Sequence, residues 1–328
     1  MLLLQPSTLV RFTAAIAVAV GSLSLGADRA DAQQLTQPVY RVANTPQQAP
    51  AQPQVVQQPQ VAQQPQVVQA VATGVVPGFD EQVTLTSGAA SSPFDLQQRP
   101  GEHPLMPCLR LAQGALVDID AKISDYSATF TKVERINGKL GDPQKIELRV
   151  RHQPFSVYMK FVAPNPGQEA LYVANQNDGK LVAMGSGWKR RIGILNLDPN
   201  GAMAMRDQRY PITKAGIRNL TTELIQIAES DVKYAECDVR HSASRVDGRP
   251  ATMIEAVHPI ARKNFKFHKA QIFIDNELKI PVAYRAYSWP STEGGPAVLE
   301  EQYIYTKLKL NNGFTDQDFS AENPTMFQ

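Results

Sequence analysis

Five histidines, two cysteines and a few serine and carboxylate neighbours are the residues of this 328-residue chain whose types could support catalysis or metal binding. A zinc site needs imidazole and thiolate groups at short, regular intervals, so that one helix or turn presents them together. His103, His152, His241, His258 and His268 show no H-x-x-x-H step and no such pairing with Cys108 or Cys237. They are expected on the surface or on strand faces, with no metal and no cofactor implied. Gly185-Ser186-Gly187 puts glycine one position either side of serine, whereas a nucleophile elbow needs it two positions away. Glu300 and Glu301 are neighbours that a regular strand turns to opposite faces, as a solvated pair without general acid–base work. Glycine-rich phosphate loops are absent from the sequence. The expectation is a protein that is not an enzyme, with no catalytic residue to name.

What remains is the chemistry of surfaces and apolar faces. Lys189-Arg190-Arg191 and Arg262-Lys263 are basic stretches that could meet a membrane surface or a cell-wall polymer, or could be plain solvated faces. Ile146, Leu148, Val150, Val157, Met159, Phe161, Leu171 and Leu181 recur with strand-like spacing. They could line an apolar ligand cavity or form close-packed core, and only volume separates the two. Cys108 and Cys237 could form a disulfide in an oxidising compartment, or stay as two buried thiols. The formal charge of +2 gives no case for nucleic acid.

The first hundred residues set the compartment. Residues 1–32 read as a signal peptide, because Arg11 precedes an apolar run from Phe12 to Leu25 and Ala30-Asp31-Ala32 offers a small-x-small cleavage site. The product is expected to be exported, to the periplasm, the cell envelope or the extracellular side. Residues 33–100 read as a disordered Gln/Pro/Val-rich linker, in which Gln52-Pro53-Gln54-Val55-Val56-Gln57 recurs with one Val to Ala change at Gln58 and again at Gln64. Proline there removes backbone donors, and glutamine is too polar to build a core. Residues 101–328 are left to form the folded domain.

Within that domain Leu105, Met106, Leu109, Ala112, Leu116, Ile119 and Ile123 carry helical spacing, and so do Ile217, Leu220, Leu224, Ile227 and Ala228. Each helix is followed by a run of strands. Tyr126 to Ile136, Lys145 to Arg151, Val157 to Phe161, Leu171 to Val173 and Leu181 to Ala183 make the first, with Trp188 to Leu197 as a sixth candidate. Asp238 to Val246, Ala251 to His258, Phe265 to Ile274, Val282 to Trp289 and Gln302 to Leu310 make the second. In Lys145 to Arg151 the basic and acidic residues alternate with Ile146, Leu148 and Val150, so that face is expected to be wet. Short turns between strands predict an α+β fold, a curved antiparallel sheet or incomplete β-barrel of about ten or eleven strands wrapped around two or more helices.

Several segments, in this order, resemble a known superfamily: Pro154-Phe155-Ser156-Val157-Tyr158-Met159-Lys160-Phe161, Asn177-Asp178-Gly179-Lys180-Leu181, Ile272-Phe273-Ile274-Asp275, Pro281-Val282-Ala283-Tyr284, Lys307-Leu308-Lys309-Leu310-Asn311 and Phe314-Thr315-Asp316-Gln317-Asp318-Phe319. Over residues 105–320 they are similar to the periplasmic lipoprotein-carrier fold of LolA-like carriers, LolB-like acceptors and RseB-like sensors, and within it to an exported bacterial family of unknown function. The resemblance implies an apolar concavity between sheet and helices that receives lipid or lipoprotein acyl chains, without catalysis. The alternative is a protein- or polymer-binding sensor or interaction module whose barrel is fully packed.

Overall fold

The structure, a computed structural model, describes residues 82–85 and 92–328. The expected leader and the Gln-Pro repeats lie outside the described residues.

Helix α1 runs over Met106–Lys122, with Pro in its first turn, where a missing N–H costs nothing, and Lys122 in its last, near the negative end of the helix. Strands β1 (Val83–Leu85), β2 (Asp125–Ile136), β3 (Lys139–Leu140), β4 (Gln144–Arg151), β5 (Ser156–Ala163), β6 (Glu169–Val173), β7 (Leu181–Met184) and β8 (Leu195–Leu197) precede helix α2 (Ile217–Asp231). Strands β9 (Asp238–Val246), β10 (Arg249–Val257), β11 (Lys269–Asp275), β12 (Pro281–Ser288) and β13 (Val298–Leu310) follow it. Asn137-Gly138 and Asp247-Gly248, all at positive φ, close the β2–β3 and β9–β10 hairpins as two-residue turns whose twist matches the strands.

The thirteen strands of the described residues join one open antiparallel sheet, in the order β1-β9-β10-β11-β12-β13-β2-β4-β5-β6-β7-β8, with β3 paired to β2. The expected incomplete barrel is present, with β1 and β3 as the short strands beyond the expected count. The two meanders meet where β13 pairs with β2, so β8 and β9 lie toward opposite edges. The chain between them therefore passes back across one face, and α2 lies there. Leu220, Leu224 and Ile227 of α2 and Ile119 of α1 pack with Phe130, Ile146, Leu148, Val150, Val157 and Phe161 in the main core. The Tyr126 hydroxyl accepts a hydrogen bond from the Ile217 N–H at 2.8 Å, satisfying one of the free donors at the start of α2. A side chain at Gly216 would place its Cβ 3.0 Å from that hydroxyl, which is why the approach uses glycine.

Three local expectations need correction. Only Leu195–Leu197 of the sixth candidate is strand, because Gly187 and Gly193 take positive φ around a 3-10 turn over Gly187–Ile192. Phe265 and Phe267 are buried in the loop before β11 rather than in it. The polar face of β4 is also only partly wet. Lys145 and Glu147 are exposed, but Arg151 is buried, with its guanidinium on Asp316 at 2.8 Å and over the Phe319 ring at 5.0 Å.

The cause is the C-terminal segment, which lies across the outer face of the sheet. Phe314, Phe319, Met326 and Phe327 build a second apolar cluster there with Tyr158, Leu171 and Val173. The segment is anchored at both ends by buried carboxylates. Asp125 accepts from the N–H groups of Asn312, Gly313 and Phe314, and Glu169 accepts from the Phe327 N–H at 2.7 Å and the Tyr158 hydroxyl at 2.6 Å.

Candidate functional site

The inner face of β5 to β8 is not filled by the helices. Met159 and Phe161 of β5, Ala170 of β6, Leu181 and Ala183 of β7 and Leu195 and Leu197 of β8 form one wall of a cavity of about 660 Å³. The register explains this set, because Met159 lies opposite Ala170 and Ala183 lies opposite both Ala170 and Leu195, so all point to one side. Small residues at Ala170 and Ala183 leave space that a leucine would occupy. Leu220, Leu224 and Ile227 of α2 form the facing wall, and Trp188, Ile192 and Met203 stand in the lining contributed by the β7–β8 and β8–α2 connections. A volume of this size lies within the ordinary range for small-molecule sites, and apolar side chains make up most of the lining, with one polar cluster formed by Lys132, Glu134, Gln208 and Glu301. The barrel is thus not fully packed.

That polar cluster ties the β8–α2 connection to the sheet. Arg209 sits between two carboxylates, its Nη1 3.0 Å from Glu300 and its Nε 3.0 Å from Glu301. The expectation that neighbouring glutamates face opposite sides fails because β13 bulges. Ala286 pairs with Glu301 and Tyr287 with Leu299, which leaves Glu300 as the extra residue and lets both carboxylates reach one guanidinium. The Arg209 N–H donates to Glu134 at 3.0 Å, and Lys132 bridges Glu134 at 2.9 Å and Gln208. The Tyr303 hydroxyl donates to Glu134 at 2.7 Å. Burial raises the Glu301 carboxyl above the usual carboxylate range, opposed by the charge of Arg209. Burial works against the Arg209 charge too, but Glu301, Tyr210 and Glu300 together outweigh it and hold the guanidinium more firmly protonated.

A second polar group lies apart from the cavity lining. His258, expected on a surface or strand face, is buried, stacked on Phe265 with ring centroids 3.8 Å apart, and its Nε2 is 3.1 Å from the Asp231 carboxylate. Burial alone would lower its pKa. Asp231, then Cys237 and the Glu236 carbonyl, outweigh that and raise it to about 10. Cys237 is buried, Cys108 partly so, and both are free thiols. Burial, and next the nearby Cys237, push Cys108 up to about 12, which removes thiolate character at neutral pH. Among the described residues no three His, Cys, Asp or Glu side chains are grouped to hold a metal ion, and no helix is long and apolar enough to cross a membrane.

A family profile described as a protein of unknown function, DUF1571, matches residues 123–326, well over half of the chain. The chain belongs to the DUF1571 family. No curated protein matches the sequence. Among solved structures, the DUF1571 chain is similar to a putative outer membrane lipoprotein-sorting protein domain from Vibrio parahaemolyticus, at 10% identity over 65% of this chain and 95% of that one, with a TM-score of 0.31. The Mycobacterium tuberculosis lipoprotein LppX matches at 12% identity over 63% of this chain and 98% of its own, TM-score 0.37. A LolA superfamily protein from Nitrosomonas europaea matches at 11% identity over 64% and 98%, TM-score 0.27.

Of the eight apolar residues singled out in the DUF1571 sequence, Met159, Phe161 and Leu181 line the cavity. Ile146, Leu148, Val150 and Val157 are close-packed core. Leu171 stands opposite Tyr158 in the register and so faces outward, under the C-terminal segment. Lys189, Arg190 and Arg191 occupy the 3-10 turn after β7, where Arg190 reaches Glu169 at 3.3 Å. Arg262 pairs with Glu236, and Lys263 is exposed beside it. The Arg209 cluster was missed. The available signal was that Lys132 and Glu134 share a strand face with Phe130, and Glu301 shares one with Tyr303 and Tyr305, so charges stand where core is due.

Proposed function

We propose that this protein binds, without catalysis, an acyl chain of a lipid or lipoprotein in the cavity between β5 to β8 and α2. The observation that carries the reading is the cavity itself, a largely apolar volume of about 660 Å³ between the sheet and α2. Each buried methylene is worth about 0.8 kcal/mol, so a chain of roughly ten gains about 8 kcal/mol before the cost of ordering it. Met159, Met184 and Met203 in the lining suit chains of varied length, because methionine repacks easily. The Arg209 cluster holds the β8–α2 connection closed over the cavity, and its opening would admit the chain.

The same reading has the protein act outside the cytoplasm, with residues 1–32 removed on export and the Gln/Pro/Val-rich stretch that precedes β1 as a tether for the domain. Whether Cys108 and Cys237 bridge in that oxidising setting or stay as the two free thiols of this structure is read by thiol labelling of the exported protein before and after reduction. The test of the function is native mass spectrometry with lipid extraction on protein purified from its own envelope without detergent. A stoichiometric acyl species supports it. A clean apo mass, with a melting temperature unmoved by added lipid, would sink it.

A further inference from the structure

The cavity carries beside it a patch that holding an acyl chain does not require. Trp188, Ile192, Ile194 and Met203 are 73%, 59%, 48% and 57% exposed, half of the eight strongly exposed large hydrophobics among the described residues. They fall within one stretch, and the cost of leaving so much apolar surface in water asks what covers it. Cations are interleaved with them. Lys189, Arg191 and Arg206 are exposed and make no ion pair among the described residues, and no carboxylate occurs from Gly179 to Leu197. Trp188, Lys189, Ile192, Met203 and Arg206 also line the cavity, so patch and cavity are continuous.

We infer that the stretch from Trp188 to Arg206 docks this protein on an anionic lipid bilayer, with Trp188, Ile192 and Ile194 at head-group depth and Lys189, Arg191 and Arg206 on lipid phosphates. An indole beside isoleucines and unpaired cations is the side-chain mixture that the bilayer interface rewards. An anionic cell-wall polymer would be held by the cations alone and would leave the indole and both isoleucines in water. The placement lets an acyl chain pass between bilayer and cavity without crossing bulk water. Docking itself does not depend on what the cavity holds.

The test is sedimentation of the mature protein with phosphatidylcholine vesicles, with and without phosphatidylglycerol. Trp188 and Trp289 are the two tryptophans of the chain, so Trp289→Phe leaves Trp188 as sole reporter, and its emission should be quenched by brominated acyl chains in anionic vesicles. Arg191 and Ile194 are outside the cavity lining, and Arg191→Glu with Ile194→Ser should lower partitioning onto anionic vesicles roughly thirtyfold or more. The same variant should still bind a soluble fluorescent fatty acid without vesicles. Equal sedimentation with both vesicle types, unquenched Trp188, unchanged partitioning of the variant, or sedimentation with cell-wall polymer in place of vesicles would each overturn the inference. Loss of fatty-acid binding in the wild type, with vesicle docking intact, would instead remove the cavity reading and leave docking standing.

Discussion

Arg209 and His258 are the two side chains whose surroundings make the sharpest demands. Removing Arg209 leaves Glu301, which is 2% exposed, with its desolvation uncompensated. Arg209→Ala is therefore expected to cost roughly 3 kcal/mol in chemical denaturation, whereas Glu301→Gln, which removes the buried charge itself, should cost distinctly less. His258 gives a pH signature. Its folded pKa of about 10 lies above the unfolded value, so protonation stabilises the fold fully below about pH 6.5, and the contribution is lost as pH rises through 10. The melting temperature should fall across that window, and the fall should shrink in His258→Gln. An identical profile in the variant would mean that Asp231 and Cys237 do not hold the ring charged. The buried partners of neither residue stood out in the sequence. A histidine after a strand and an arginine before a helix look solvated until the tertiary partners Asp231 and Glu301 are known.

At the scale of elements, the helix spacing and the strand alternations place α1, α2 and most of the strands, because each pattern reports one buried face. The same logic misplaces Arg151 and Leu171. Alternation says which residues share a side of a strand, but not whether a later segment covers the other side. The C-terminal segment does so, with Phe319 buried against Arg151 and Phe314. Phe319→Ala should cost about 3 kcal/mol, a drop in Tm of roughly 6–12 °C by calorimetry. A drop within error would show that the segment is not part of the cooperative unit. The bulge at Glu300 belongs to this scale as well. One inserted residue turns an ordinary pair of neighbours into a clamp on Arg209, and a bulge has no reliable mark in composition or period.

For the whole molecule, the deciding quantity is the unfilled volume. Ala183→Phe puts a ring into the cavity from β7, and it should abolish binding of a soluble fluorescent fatty acid while leaving the melting temperature of the lipid-free protein equal or higher. Retained binding would place the ligand elsewhere. The sequence by itself determined the order of elements, the antiparallel connectivity, the resemblance to a carrier-like family and the want of a catalytic motif, since these rest on local period, turn chemistry and residue spacing. Only the tertiary structure decided that the barrel keeps a cavity, that Met159, Phe161 and Leu181 line it while Leu171 faces away, and that Arg209 closes over buried carboxylates. Volume and pairing across the chain depend on how distant segments meet, and no local pattern encodes that distance.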